Sequence, residues 1–592
     1  MFLRTVKAAG GKGIQYEYVR LVESYREHGR TKQRVVCNLG RKDLLAAHFD
    51  ALVRVLHGEG RGAEARRAGE VQATGAWDWG PMLVARTLWR DLGVEAILDR
   101  LGGRAAATPG ALTDRAFVLV ANRLCAPTSE HGLARWLETD FVCDRVGRRW
   151  VPQWRAEAAR RASRAPRVRI RFRQLQGWYR TLDRLHAHQA GIERELYLRL
   201  RDLFALQVDL VLYDLTSTYF EGAGPPALGA HGHSRDGKPR QPQVLVGVVM
   251  VDDWPIAHHV FRGNRRDAMT VPEVLDDLET RFGLRRVVFV GDRGMVTPDN
   301  LTLLRGRGQG YLVGLNRRRN AAVARHLARA TGPWTECPER PGPLAGVAAA
   351  KTYVQEVAGD EPGIRVFVVR SDERLAYEHA ERQKAMARVR TALAALQRRV
   401  DRGQLKAPAK VGAAAARILG RHHGSRYFGW AYEGGRFRFF EHPGNLPREE
   451  ALEGTYLLQT TEQQLTPVQA VALYKRLSEV ERAFCALKDV IEMRPIYHQT
   501  DPRVTAHIFV AALAFLLHRA LEKKLKAAGL DLSATEALQA LRTVRVVDLQ
   551  LGDGRTKRSV TRGTARAARL LGALGITHLE PPTAPEEAPA MA

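Results

Sequence analysis

Cysteine is scarce: Cys37, Cys125, Cys143, Cys337 and Cys485 are the five in 592 residues, odd in number and widely scattered. No two stand at metal-site or redox-pair spacing, which excludes a disulfide scaffold and points to free thiols in a reducing compartment. Also missing is an apolar signal core in the N-terminal MFLRTVKAAGGKG. The most apolar run, IFVAALAFLLHRALEKK, is broken by His518 and Arg519 after about a dozen residues, too short to span a bilayer. A soluble, cytoplasmic protein without a membrane partner is expected. The glycines of GKGIQ form no phosphate loop, so no nucleotide cofactor is indicated. No long segment has a disordered composition; only the closing EPPTAPEEAPAMA reads as a frayed tail.

Acidic residues are also in short supply. Lys and Arg number 92 against 64 Asp and Glu, a net charge of +28 and a pI near 10.3. Such an excess makes a polyanion, nucleic acid first, the expected partner. The imbalance peaks over residues 141–180, with twelve Arg, no Lys and two acids, interleaved with Trp150, Trp154, Trp178 and Tyr179. Guanidinium forks suit phosphates, and aromatics can stack on bases or anchor the segment. Just before it, TDRAFVLVANRLCAPTSEHGLARWLE has the pattern of two helices around a turn, common to helix-turn-helix readers and ordinary bundles alike.

At 45% apolar and 26% charged residues, the chain is globular and long enough for several cores. Residues 1–75 hold a small hairpin-containing region, and 76–205 a helical, arginine-rich DNA-binding region. From 206 to 315 runs an ordered series of strands and helices. VDLVLYD (208–214), QVLVGVVMVD (243–252) and PIAHHVF (255–261) read as strands with short connections. The helix VPEVLDDLETRF (271–282), the strand RVVFVGD (286–292), a helix from Thr297 and the strand GYLVGL (310–315) complete it. That order predicts an α/β fold, a mixed sheet with flanking helices. Residues 316–465 read as an inserted α+β domain, 466–530 as the second part of the core, and 531–592 as a C-terminal region with the frayed tail.

Two of these apolar strands end in a carboxylate, Asp214 and Asp292. If the two strands are neighbours, both acids emerge at one sheet edge, where they repel unless a cation lies between them. Each Asp alone would pass as a turn cap; as a pair they favour a hard divalent cation held by oxygen, Mg²⁺ or Mn²⁺. In the helix expected over 466–490, Leu473, Leu477, Val480, Phe484 and Leu487 form the core stripe. Tyr474, Glu481 and Lys488, seven apart, share the face beside it, which puts Glu481 within reach of the Asp pair. Asp236 and Asp253 rank lower as ligands because neither ends a core strand, and Asn264 and Asp267 read equally as residues that order the site and as simple loop residues. Trp430 reads as hairpin core or as a base-stacking group, and His498 and His507 as structural histidines.

Together, DLTSTYFEG, GNRRDAMT, VGDRG, YKRLSEVERAFCALKD and RPIYHQTDPRVTAHIF resemble the DDE transposases of bacterial insertion sequences, in the branch with a β-rich insertion between the second Asp and the Glu. The resemblance covers roughly 205–525. It implies an RNase H-like catalytic core with Asp214, Asp292 and Glu481 as catalytic, metal-binding triad, 78 and 189 residues apart, holding two Mg²⁺ or Mn²⁺ ions. It further implies a terminal-phosphate contact from Lys488 and a phosphate or sugar contact from Tyr474. The family's helix signature has an arginine three after the tyrosine; Leu477 stands there, so Arg476 or Lys475 would have to supply the charge. Arg262, Arg265, Arg266 and Arg293 flank the carboxylates as DNA-attracting charges.

The expected activity is cleavage of the element's terminal inverted repeats and joining of the 3′-hydroxyls to target DNA, by a homodimer on paired double-stranded ends. The alternatives are an RNase H-fold nuclease without strand transfer and an inactive, transposase-derived DNA-binding protein.

Overall fold

In a computed structural model the described residues are 2–9, 15–27, 30–43, 45, 72–102, 111–151, 168–204, 210–315, 322–338, 351–551 and 556–582. The arginine-rich stretch at 152–167 and the tail at 583–592 lie outside them. The chain divides into two units: residues 1–84, 134–162 and 527–592 form the first, and residues 85–133 and 163–526 the second.

In the first unit, strands β1 (Phe2–Ala9), β2 (Gln15–Glu27) and β3 (Arg30–Arg41) make an antiparallel sheet, one strand more than the expected hairpin. A second sheet orders β4 (Gln72–Asp78) beside strands from the other end of the chain, β16 (Arg545–Gln550) and β17 (Thr556–Val560). Trp79 is buried against Phe141 and donates its indole N–H to the Leu579 carbonyl at 2.6 Å.

The second unit is built on a nine-stranded mixed sheet. Its strands are β5 (Leu210–Tyr219), β6 (Gln243–Val251), β7 (Trp254–Arg262), β8 (Val288–Gly291), β9 (Gly310–Gly314), β10 (Thr335–Glu336), β11 (Thr352–Ala358), β12 (Arg365–Ser371) and β15 (Thr455–Thr460), in the order β10-β11-β12-β15-β9-β8-β5-β6-β7. β5, β8 and β9 run parallel, linked by the helices Val271–Thr280 and Pro298–Gly306, while the other neighbours pair antiparallel. β6 is buried along its whole length, which suits its apolar run to the interior of the sheet.

Residues expected inside an inserted domain partly join this sheet: Leu458 of β15 pairs with Gly314, and β12 and β11 follow outward. Between Asp372 and Leu452 the chain folds around a core of its own. The helices Asp372–Asp401 and Pro408–Gly420 pack Met386, Leu393, Leu396 and Val411 against the hairpin of β13 (Phe428–Glu433) and β14 (Arg436–Glu441). Trp430 belongs to that hairpin and stacks on Phe437 at 5.9 Å.

The first of the two helices read around the turn at 126–132, Ala111–Cys125, buries Phe117, Val118, Val120 and Ala121 almost completely and so serves as core. The helix Asp501–Ala527 is long and apolar enough to cross a membrane, and extends beyond the run read from the sequence. Its most apolar window is 83% buried inside the fold, the environment of a core helix. Where it faces Ala111–Cys125 it carries His507, which burial, then Arg123, pushes down to about 4. His507 is thus neutral; its Nε2–H donates to the Met493 carbonyl at 3.0 Å and its Nδ1 faces the Arg123 guanidinium at 3.5 Å. Glu130, with His498 Nε2 3.4 Å away, supplies the charge opposite Arg123. Among the described residues Glu130, His498 and His507 are the trio of metal-type ligands with all donor atoms within 4.8 Å, and the Arg123 guanidinium stands 3.5 Å from the His507 ring.

Replacing Arg123 by Met removes the buried guanidinium that the Glu130 charge favours and leaves that charge less balanced, so R123M is expected to lose roughly 3 kcal/mol of stability in chemical denaturation. R123M/E130Q should recover much of it; no difference between the two variants would refute the role assigned to Arg123.

Candidate active site

The carboxylates meet through strand register. β5 and β8 pair in parallel with Tyr213 opposite Gly291, so the next residue of each strand, Asp214 and Asp292, leaves the pair side by side. β8 stops there, whereas β5 continues to Tyr219 against β6. Asp214 therefore lies within its strand rather than at its end: its neighbour on one side is gone and the ladder on the other side persists. Close packing secures the pair. A Cβ at Gly247 of β6, opposite Leu215, would come 2.8 Å from the Tyr213 ring, whose hydroxyl donates to Thr270 Oγ1 at 2.9 Å.

Glu481 comes from a helix that the sequence presents as continuous. The chain instead forms two helices, Pro467–Lys475 and Leu477–Cys485, meeting at Arg476, followed by one π-helical turn over Ala486–Val490. Leu477, Val480, Phe484 and Leu487 are buried, as the stripe predicts, whereas Leu473, before the break at Arg476, is only half-buried. On the adjoining face Glu481, Cys485 and Lys488 line an open cleft of about 420 Å³ with Asp214 and Asp292. Thr216, Arg235, Asp236, Asp267, Asp489 and Arg494 share its walls.

Burial pushes Asp214 up to about 7; the Asp292 and Glu481 charges add to this, against the Leu215 amide (2.7 Å from Oδ1) and Arg235. Charges about 5 Å apart on neighbouring strands repel by roughly 3 kcal/mol at an effective dielectric of about 20. Three oxygen-donor carboxylates with unbalanced charge fit a hard divalent cation.

The cations nearby are bound elsewhere. Lys488 Nζ donates to Asp236 Oδ1 at 2.8 Å, Arg494 pairs with Asp236 and Asp489, and Arg235 pairs with Asp267 at 2.7 Å. Ser217 Oγ accepts the Arg235 backbone N–H at 2.9 Å, so it anchors a loop, and Thr216 beside it is buried at the cleft wall.

The remaining residues singled out in the sequence are spread wider. Tyr474 lies beside Gly314, where a Cβ would come 2.3 Å from its hydroxyl; burial, then the charge of Asp292, pushes it up to about 12. Arg293 approaches Asp292 at 4.0 Å, and its charge opposes the upward push on Tyr474. Arg262 and Arg266 are exposed at and just past the end of β7. Arg265 is tied to Glu273 at 2.7 Å and to the Met269 carbonyl at 2.9 Å. Arg476 is not among the cleft residues; it bonds Glu479 at 3.3 Å and Asp252 at 3.5 Å. Lys475 donates to Thr352 Oγ1 at 3.0 Å, and Leu477 is buried, so neither puts a charge in the cleft. Sequence reasoning passed over Arg235, Asp489 and Arg494 and ranked Asp236 low. For Arg235 and Asp236 the only signal is a loop dense in charge, which folds back onto β5, whereas Asp489 and Arg494 lie in and just beyond the turn that ends the Glu481 helix.

With this geometry in view, comparison with known proteins is informative. Residues 211–517, more than half of the chain, match the transposase DDE domain, and residues 3–66 match the N-terminal domain of IS1634 family transposases. No curated protein matches the chain. Among solved structures, a piggyBac transposase synaptic complex with hairpin DNA aligns over 87% of each chain at 9% identity, with a TM-score of 0.34, too low to bear on fold or site. A DDE-domain match spanning β5, β8 and the Glu481 helix, joined to a matching N-terminal domain, places this chain in the family of DDE transposases of insertion sequences, with an RNase H-like α/β core.

Proposed function

We propose that this DNA transposase binds the terminal inverted repeats of its element, cleaves the ends by metal-dependent phosphodiester hydrolysis and joins the 3′-hydroxyl ends to target DNA, as a homodimer on paired double-stranded ends in the cytoplasm. The observation that carries the reading is the Tyr213–Gly291 register, which delivers Asp214 and Asp292 to one cleft facing Glu481. Asp214, Asp292 and Glu481 would hold two Mg²⁺ or Mn²⁺ ions. Bound there, such ions activate a water or 3′-hydroxyl and stabilise the charge of the departing oxygen.

The chain's own residues do the rest. The carboxylates set the position of the scissile phosphate by fixing where its countercharge lies. Lys488, on the same helix face as Glu481, presents an ammonium at the cleft wall for the phosphate backbone. Tyr474, kept protonated by its environment, offers a hydroxyl donor beside Asp292. Arg262 and Arg266 are exposed for backbone contact, and Arg293 borders Asp292. Arg265 and Arg476 would reach DNA only by exchanging their present partners. The Arg-rich 141–180 segment and the region 372–452 would add end recognition.

D214N, D292N and E481Q should each lower cleavage of repeat-bearing DNA in Mg²⁺ by at least about two orders of magnitude, equivalent to roughly 3 kcal/mol of transition-state stabilisation. Retention of wild-type cleavage by any of them would remove that residue from the triad. Joined products distinguish a transposase from a nuclease that only cuts.

Metal affinity should also depend on pH. Asp214 is protonated below about 7, and cation binding must displace that proton, so affinity should rise about tenfold per pH unit towards 7 and level off above it. In D292N the levelling-off should move to lower pH, because one repelling charge is gone. Mn²⁺ titration calorimetry from about pH 5.5 to 8.5 measures both; an affinity flat across that range contradicts the assignment.

A further inference from the structure

The cleft contains six carboxylates, and its three cations divide them unequally. Arg235 is bound to Asp267, Lys488 to Asp236, and Arg494 to Asp236 and Asp489. Among the described residues neither Asp214 nor Glu481 has an ion-pair partner, and Asp292 has only Arg293 at 4.0 Å. Yet Lys488 follows Glu481 by seven residues on the face that lines the cleft, and Arg235 is near enough to influence Asp214. Unrestrained lysine and arginine side chains beside three unpaired carboxylates would settle on them.

Asp236 accounts for their staying away. Its side chain is 2% exposed, both cations bond its Oδ1, and its Oδ2 is buried without a hydrogen-bond partner. A buried carboxylate is costly alone and tolerable with two cations around it, so the pairing that satisfies Asp236 also keeps Lys488 and Arg494 in place. The location of Asp236 is tied to the core strand, because the preceding Arg235 backbone N–H is held by Ser217, three residues after Asp214.

We propose that Asp236 is a positioning residue: it holds Lys488 and Arg494 on the cleft wall, so that Asp214, Asp292 and Glu481 stay free for the divalent cation. This rests on the reading of the cleft as the metal-dependent active site. Asp236 acts through its partners and touches neither cation nor DNA.

The test is Mn²⁺ binding to the full chain by titration calorimetry, with thermal melting alongside. D236N keeps the side-chain shape and removes the charge; Mn²⁺ affinity is expected to fall about tenfold, the lower end of what removal of a supporting partner does to a metal site. K488Q should restore most of that loss in the D236N background and change affinity much less when Asp236 is intact. S217A, which loosens the loop and leaves the charges untouched, should weaken Mn²⁺ binding in the same direction by a smaller factor and serves where D236N does not fold. Unchanged affinity in D236N, or in S217A where that variant is the one available, overturns the inference. So does a loss in D236N that neither K488Q nor R494Q reverses, because Asp236 would then be a ligand itself. A wild-type chain that takes up no Mn²⁺ instead overturns the reading of the cleft, and this inference with it.

Discussion

The parallel pairing of β5 with β8 is the constraint on which the site depends. Its last matched pair, Tyr213 and Gly291, decides that Asp214 and Asp292 leave the sheet together. The pairing is asymmetric: β8 ends where the acids begin, while β5 runs on against β6 for another five residues. One carboxylate is thus mounted on a continuing strand and the other on the turn after a finished one. The sheet supplies rigidity, and the missing strand beside Asp214 opens the space that becomes the cleft. A slip of one residue in this register would turn Asp214 to the opposite face.

Two buried carboxylates of the second unit show what the site withholds. Burial pushes Glu193 up, but His258 at 2.6 Å and Arg281 outweigh it and hold the group below its ordinary value. Asp214, similarly enclosed, has no cation bonded to it, and its proton stays on to about 7. The fold evidently can satisfy a buried acid. At the cleft it binds the three lining cations to Asp236, Asp267 or Asp489 instead, which leaves Asp214 and Glu481 without an ion-pair partner among the described residues and Asp292 with Arg293 alone, at 4.0 Å.

Much of the core was legible in the sequence because apolar runs and their punctuation are local signals. β5 to β9 and the two helices among them fall close to where the patterns of 206–315 place them, and the core stripe of the Glu481 helix is buried from Leu477 to Leu487, though not at Leu473. Local signals do not report long-range pairing. Nothing in residues 352–371 or 455–460 tells that they extend the core sheet rather than an inserted one, since that follows from hydrogen bonds between β15 and β9. The break at Arg476 was equally hidden, as no proline or glycine marks it. Arg265 and Arg476 read as free charges only because their partners, Glu273, Glu479 and Asp252, become neighbours through folding.

The sequence by itself determined the type of chemistry: which strands deliver a carboxylate, which helix face carries a third, and an excess of positive charge suited to DNA. These are matters of periodicity, residue type and composition, carried by single segments. The tertiary structure alone decided which charges remain available. Asp236, judged a minor turn residue in the sequence, is buried under Lys488 and Arg494, and Arg476 is turned away from the cleft. The reason is that ion pairing depends on distance through space, and residues 236, 488 and 494 become neighbours only when the loop after β5 closes over the Glu481 helix.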